Sequence, residues 1–300
     1  MTATSSTGSA DEALTAEELL TLERIGETSL RSVHNQENRA GAIFGGQPLA
    51  QALSVAQATV PGWPAHSLSA NFMRSGNFDL PVDYEIELLR DGRRYAARRV
   101  LASQQGKPIF DCICSFHDPE ESAGHQVGGI EDVPPPESLV DMREFARAHS
   151  DEMPAVMWRS LRLPFPIEIR MIDPQGAFVP GDTASRDYWL RVPSAGALGD
   201  DMNAHQCILA FASDYWIAGA AAIPHPPTAK HGMTVASLNH AMWFHTPTRV
   251  DEWLLYRTSS PWTNLGRGLA LGQIYDRAGA LVASVAQEAS LRQIRMPAQD

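Results

Sequence analysis

Apolar positions along the chain fall into an arrangement that occurs twice. Leu19, Leu20, Leu22 and Ile25 are spaced as a short helix over Ala16 to Ile25, and Ser29 to Asn35 reads as a strand. Gly45-Gly46 then introduces Gln47 to Thr59, a stretch with no charged residue. Leu49, Ala52, Leu53, Ala56 and Val60 share one helical face, and Pro48 suits a first turn. A helix apolar on nearly every side is expected to be buried on nearly every side. Strand-like runs follow at His66–Met73, Tyr84–Leu89, Tyr95–Ser103 and Pro108–His117, with tight turns at Asp91-Gly92 and Gln105-Gly106.

Residues 118–164 interrupt this order. Asp118-Pro119-Glu120-Glu121, Gly128-Gly129 and Pro134-Pro135-Pro136 have the composition of a linker, with one helix predicted at Ser138–His149. The earlier order then returns. Phe165–Ile172 and Asp187–Val192 read as strands, and Ala204–Ala218 as a second, almost uncharged helix. Further strands are predicted at Thr234–His245, Glu252–Ser259, Arg267–Tyr275 and Leu281–Leu291, with a turn at Arg277-Ala278-Gly279. Ser67-Leu68 matches Ser237-Leu238 at an offset of 170, and Gly106 matches Gly279 at 173. Offsets this close across a whole sheet favour duplication of one unit over two unrelated α+β domains. The expected division is a disordered tail at 1–16, units at 17–117 and 165–292 joined by a linker at 118–164, and a tail at 293–300. If the two sheets pair, they form one sheet with few open edges.

Composition narrows the function. At 300 residues there is room for about two domains. A formal net charge of -11 argues against nucleic acid and against a membrane surface. Three cysteines, Cys112, Cys114 and Cys207, do not make a disulfide framework and point to a reducing compartment. No window is apolar enough to span a bilayer. The start lacks a basic, then apolar, leader, and the end carries no retention or peroxisomal tripeptide, so the cytoplasm is the expectation.

Several chemistries have no motif here. G-x-S-x-G, the Walker loop, C-x-x-C and H-E-x-x-H are all missing from the sequence. His240 and His245, five apart on one strand, point to opposite faces and read as structural. Three polar residues stand in apolar places. Asp214 is the one charged residue between His205 and Lys230, and a buried carboxylate is costly unless paired. Gln287 interrupts the core face Leu281, Ala283, Val285, Ala289, Leu291 of the last strand, and a buried amide must find partners. Its counterpart in the first unit is Cys114. Ser237 carries no signal alone, because the periodicity around it is ambiguous.

Taken together, Phe44-Gly45-Gly46-Gln47, Arg90-Asp91-Gly92, Gln105-Gly106-Lys107-Pro108-Ile109-Phe110, Ala212-Ser213-Asp214, His240-Ala241-Met242-Trp243-Phe244-His245 and Glu252-Trp253-Leu254-Leu255-Tyr256 resemble the type II acyl-CoA thioesterases. The resemblance runs from about Leu19 to Arg292. It implies an α+β double hotdog fold, two fused copies of a central helix wrapped by an antiparallel sheet. It also implies hydrolysis of fatty-acyl-CoA without cofactor or metal, and assembly as a homo-oligomer. The family's catalytic aspartate, threonine and glutamine, which hold the attacking water, fall on Asp214, Ser237 and Gln287. Ser237 keeps the hydroxyl, and Asn239 stands where an acidic residue is expected in close relatives. Gly45 and Gly46 are candidates for an oxyanion site, and His66 and Arg74 for substrate binding. Arg93, Arg94, Arg98 and Arg99 are further partners for the coenzyme A phosphates, unless they form a solvated strand face. Two other readings remain: a non-catalytic acyl-CoA-binding protein, and an enoyl-CoA hydratase, whose Asp/His loop is not found.

Overall fold

The computed structural model describes residues 13–38, 40–151, 161–176, 183–225 and 231–295. The first half contains α1 (Ala16–Leu20), β1 (Leu22–Arg24), β2 (Ser29–Ser32), α2 (Gly46–Gln57), β3 (Ala65–Phe72), β4 (Asp83–Asp91), β5 (Tyr95–Gln104) and β6 (Lys107–His117). α3 (Met142–Ala148) lies in the connection. The second half contains β7 (Glu168–Met171), β8 (Ser185–Arg191), α4 (Met202–Ser213), β9 (His231–Ser237), β10 (Asn239–Phe244), β11 (Leu254–Asn264), β12 (Arg267–Tyr275) and β13 (Leu281–Arg295). Among the described residues no helix is long and apolar enough to cross a membrane.

One antiparallel sheet runs β1-β2-β4-β5-β6-β3-β10-β13-β12-β11-β8-β7, with β9 also on β13. Strand order in the two halves is the same when read outward from the junction. That junction is β3 against β10, with Leu68 opposite Met242. The sheet curls around α2 and α4, which pack on each other. Cys207 of α4 donates to Gln57 of α2, and Gln57 donates to Gln206.

The missing charge in α2 has its counterpart in burial: Leu49, Ala52, Leu53 and Ala56 are all core residues. Its glutamines are buried as well and satisfied locally. Gln47 accepts from the Gln36 N–H and donates to the His34 carbonyl, and Gln51 accepts from Tyr84 and donates to the Leu19 carbonyl. These amides pin the first segment to the helix without placing a charge in the core.

Several boundaries differ from the expected ones. The first helix stops at Leu20, and Leu22–Arg24 pairs with β2 as a strand. The linker helix starts at Met142, capped by Asp141, after a separate 3-10 turn at Pro136–Ser138. α4 ends at Ser213, and Ile217–Ala222 forms a 3-10 turn of its own. β11 runs on past a bulge at Ser259/Trp262 to the Leu265-Gly266 turn, because the bulge hides the alternation. β13 extends through Arg295, three residues into the expected tail, because β9 pairs with it there. Residues 1–12, 152–160 and 296–300, on which parts of the two tails and the linker fall, lie outside the described residues.

The two halves differ inside one corresponding strand pair. In the first, Arg98 stands opposite Cys114; in the second, Ala270 stands opposite Gln287. Arg98 is buried and donates to Thr59 Oγ1, to the Thr59 and Arg90 carbonyls and to Asp91. It fills the space beyond the end of α2, which in the second half is left to polar residues around the end of α4.

Candidate active site

Asp214 caps the C-terminus of α4, deep in the molecule. The carbonyls flanking it are held by two buried tyrosines: Tyr256 donates to Ser213 O at 2.9 Å, and Tyr188 to Tyr215 O at 2.6 Å. Trp216 then turns the chain away with φ of 64°. Phe44, Phe165, Phe211 and Tyr215 form an aromatic cluster on one side, with the Phe44 and Phe211 centroids 5.0 Å apart. Asp214 therefore sits where water has little access.

The start of α2 faces this carboxylate. A Cβ on Gly45 would lie 2.7 Å from Asp214 Oδ2, and one on Gly46 2.2 Å from the Phe211 carbonyl oxygen. Gly46 needs glycine so that the two helix ends can meet, whereas a methyl at Gly45 would press on the Asp214 carboxylate and the Phe72 ring. Burial pushes the Asp214 carboxyl up to about 7, and the Gln287 amide, the Ser237 hydroxyl and the Gly46 N–H offset only part of that rise. Asp214 Oδ1 is buried and accepts no hydrogen bond from any described residue.

Gln287 is fully buried on the inner face of β13, between Val285 and Ala289. Its Nε2 donates to Ser237 Oγ at 2.8 Å, and its Oε1 lies 2.5 Å from His240 Nδ1. His240 Nε2 lies 3.0 Å from Ser213 Oγ, on the last residue of α4. Burial depresses the His240 imidazole to about 4, so it is neutral at physiological pH.

Ser237 and His240 are three apart and would face opposite sides of a regular strand. A bulge removes the conflict. Ser237 pairs with Ala289 while Ala241 pairs with Ala286, so four steps along one strand match three along the other. At the irregularity, the Leu238 N–H donates to the Glu288 carbonyl and the Leu238 carbonyl accepts from the Phe72 N–H. The bulge turns both side chains inward on either side of Gln287. Asn239 has a backbone role beside it: its Oδ1 accepts from the Glu288 N–H at 3.0 Å.

Asp214, Ser237, Gln287, Gly45 and Gly46 are thus brought together. His66 is not among them. It sits at the far end of β3 from Phe72, the residue beside Gly45, with Nε2 2.8 Å from Ser115 Oγ and near His117. Arg74 lies just past Phe72, exposed, donating to the Pro108 carbonyl. Two of the other arginines are not available to phosphates in the expected way. Arg98 is buried against α2, and Arg99 is bidentate on Asp111 with Glu87 beside it. Arg94 pairs with Glu120 at 2.9 Å. His240 stands where the sequence predicts a structural histidine; what singles it out is contact with Gln287, which only the bulge produces.

A helix wrapped by an antiparallel sheet, present twice and sharing one sheet, defines a double hotdog protein, here with a buried polar cluster at the end of its second helix. The family model described as acyl-CoA thioesterase matches residues 163–290, and the one for the acyl-CoA thioesterase N-terminal domain matches 34–117. Acyl-coenzyme A thioesterase 8 of Homo sapiens is 35% identical over 91% of this chain and 88% of its own length. Acyl-CoA thioesterase 2 of Haemophilus influenzae is 32% identical over 91% and 96% respectively. The crystal structure of acyl-CoA thioesterase II TesB2 from Mycobacterium marinum superposes with a TM-score of 0.75 at 33% identity, covering 93% of this chain and 98% of that one. The chain belongs to the acyl-CoA thioesterase family.

Proposed function

We propose that the protein hydrolyses fatty-acyl-CoA to the free acid and coenzyme A, with Asp214 as general base and Ser237 and Gln287 holding the attacking water. The observation that carries this reading is a buried carboxylate at a helix end with an unengaged oxygen, its carboxyl raised to about 7, facing a hydroxyl and an amide from two strands. A base titrating near working pH combines a useful population of carboxylate with real proton affinity. Water donates its proton to Asp214 as its oxygen bonds to the thioester carbonyl carbon. The C–S bond then breaks and the electron pair leaves on sulfur. A thiol pKa near ~8.5 makes the thiolate a good leaving group, so no strong acid is required. The positive end of α2 is turned toward the same point, and Gly45 and Gly46 let it approach charge that develops on the carbonyl oxygen. Arg74, exposed beyond β3, is suited to the coenzyme A phosphates.

The test is thiol release from a panel of acyl-CoAs. Gln287→Ala is expected to lower turnover by roughly 10-fold or more, because the water loses one of its anchors. Ser237→Thr is expected to stay within about 3-fold, because the hydroxyl remains. A panel that is bound but never cleaved leaves the binding-protein reading; hydration of enoyl-CoA without thiol release leaves the hydratase reading. The chemistry asks for no metal or organic cofactor, and turnover after dialysis against EDTA is expected to be unchanged.

The division into units at 17–117 and 165–292 is part of this proposal, supported by the common strand order. So are the compartment and the assembly. Three buried, unpaired cysteines fit the reducing cytoplasm. Trp243, Ile113 and Leu271, exposed on strands of the central sheet, fit a surface that a second copy covers.

A further inference from the structure

We propose that His240 is a positioning residue that fixes which way the Gln287 amide faces, and that Ser213 holds His240 in the tautomer this requires. The inference rests on the Asp214, Ser237 and Gln287 reading above and adds a fourth and fifth residue to it.

A primary amide is nearly symmetric in shape and opposite in chemistry at its two ends. Rotation about the last side-chain torsion exchanges the carbonyl oxygen and the NH2 group, and that torsion is broad and roughly two-fold. Gln287 serves the site in one orientation alone. With NH2 toward Ser237 and Asp214, it donates to the hydroxyl at 2.8 Å and opposes the rise of the Asp214 carboxyl. Turned over, it would set its oxygen against the carboxylate and leave the water without that donor. Apolar packing by Val285 and Ala289 on the same face cannot tell the two apart, since the orientations fill the same volume.

His240 can. It stands on the opposite side of the amide from Ser237, is 1% exposed, and places Nδ1 2.5 Å from Gln287 Oε1. An amide oxygen takes only a donor, so Nδ1 must carry the proton. A neutral imidazole has one N–H, which leaves Nε2 as an acceptor. The Ser213 hydroxyl lies 3.0 Å from Nε2 and donates to the Ala210 carbonyl at 2.8 Å; in the proposed tautomer its one proton is shared with or turned to Nε2. The chain of contacts leaves α4 at Ser213, passes through His240, Gln287 and Ser237, and returns toward Asp214, the next residue after its origin. It ties the helix end to both strands at the bulge. His245 shows the contrast: beyond the bulge it points to the outer side and meets Ser284 at 2.9 Å.

Asparagine and leucine separate positioning from packing, because they are similar in size and Asn offers an N–H near the place of Nδ1. His240→Leu is expected to lower kcat by roughly 10- to 100-fold with KM changed less than about 3-fold, as for loss of one buried orienting donor. His240→Asn is expected to keep kcat within about 3-fold of the parent. In a Gln287→Ala background, His240→Leu is expected to cost less than about 2-fold more, because a residue acting through Gln287 has nothing left to orient. Thiol release is measured for each variant beside its melting temperature. Near-normal kcat in a folded His240→Leu, or an equal loss with and without Gln287, overturns the proposal. Should His240→Leu not fold, His240→Asn decides: retained kcat supports positioning, and a loss like that of Gln287→Ala in a folded protein refutes it. Unimpaired Gln287→Ala would overturn the water-holding reading and this one together. An impaired Gln287→Ala beside a normal His240→Leu would overturn this one alone.

Discussion

Replacing Asp214 with asparagine is expected to reduce acyl-CoA hydrolysis by roughly 100-fold or more, the scale for loss of a general base, while stabilising the fold at alkaline pH. Both effects come from one property. Burial raises the Asp214 carboxyl from 3.8 to about 7, so the folded protein keeps a proton there that an unfolded chain has already released. The ionised form is disfavoured in the fold. Its penalty is absent below about pH 4, grows as pH rises toward 7 and is fully present above it. A shift of about three units at ~1.4 kcal/mol each makes that penalty at most about 4 kcal/mol. The asparagine variant should therefore melt close to the parent at pH 4 and above it at pH 8. Activity of the parent should rise with pH through about 7, since the carboxylate is the working form. Near-normal turnover in a folded Asp214→Asn, or a parent whose activity falls across that range, would refute the mechanism.

Gly46→Ala is expected to damage stability and activity together. The added methyl would sit 2.2 Å from the Phe211 carbonyl oxygen and 2.4 Å from the Phe44 ring, and backbone cannot swing aside as a side chain can. The ends of α2 and α4 must separate, at a cost of about 3 kcal/mol or more. Separation also withdraws the Gly46 N–H from Asp214. Gly106→Ala supplies the control. That glycine has φ of +72° with nothing within 4 Å of an added Cβ, so only local backbone strain of about 1 kcal/mol is expected, with turnover unchanged. Melting curves and thiol release on both variants check this. Equal behaviour of the two would show that the contact between the helix ends is not what Gly46 provides.

Asp214 and Gln287 were legible in the sequence because each breaks a pattern its neighbours establish. One is a lone charge in an apolar stretch, and the other a lone amide on the inner face of a strand. Gly45 and Gly46 stood out in the sequence as an oxyanion candidate; that they lie against Asp214 and the Phe211 carbonyl was not legible, because that contact joins helices far apart in sequence. Ser237 and His240 were not legible. Their spacing puts them on opposite faces of a regular strand, and no residue type announces a bulge at Leu238. Arg98 was likewise unreadable, since an arginine among arginines looks like a surface residue until the end of α2 is seen to lie beneath it.

What the sequence determined by itself was what local periodicity can encode: two uncharged helices, the alternating strands around each, the turns between them and the repetition of the whole. These depend on which face of an element is apolar, and neighbours along the chain decide that. The tertiary structure decided which half would carry the candidate site. In the first half an arginine closes the end of its helix, and in the second a bulge turns a hydroxyl and an imidazole toward one amide. Such differences depend on register between strands far apart in sequence, where an offset of one residue moves a side chain from one face of the sheet to the other.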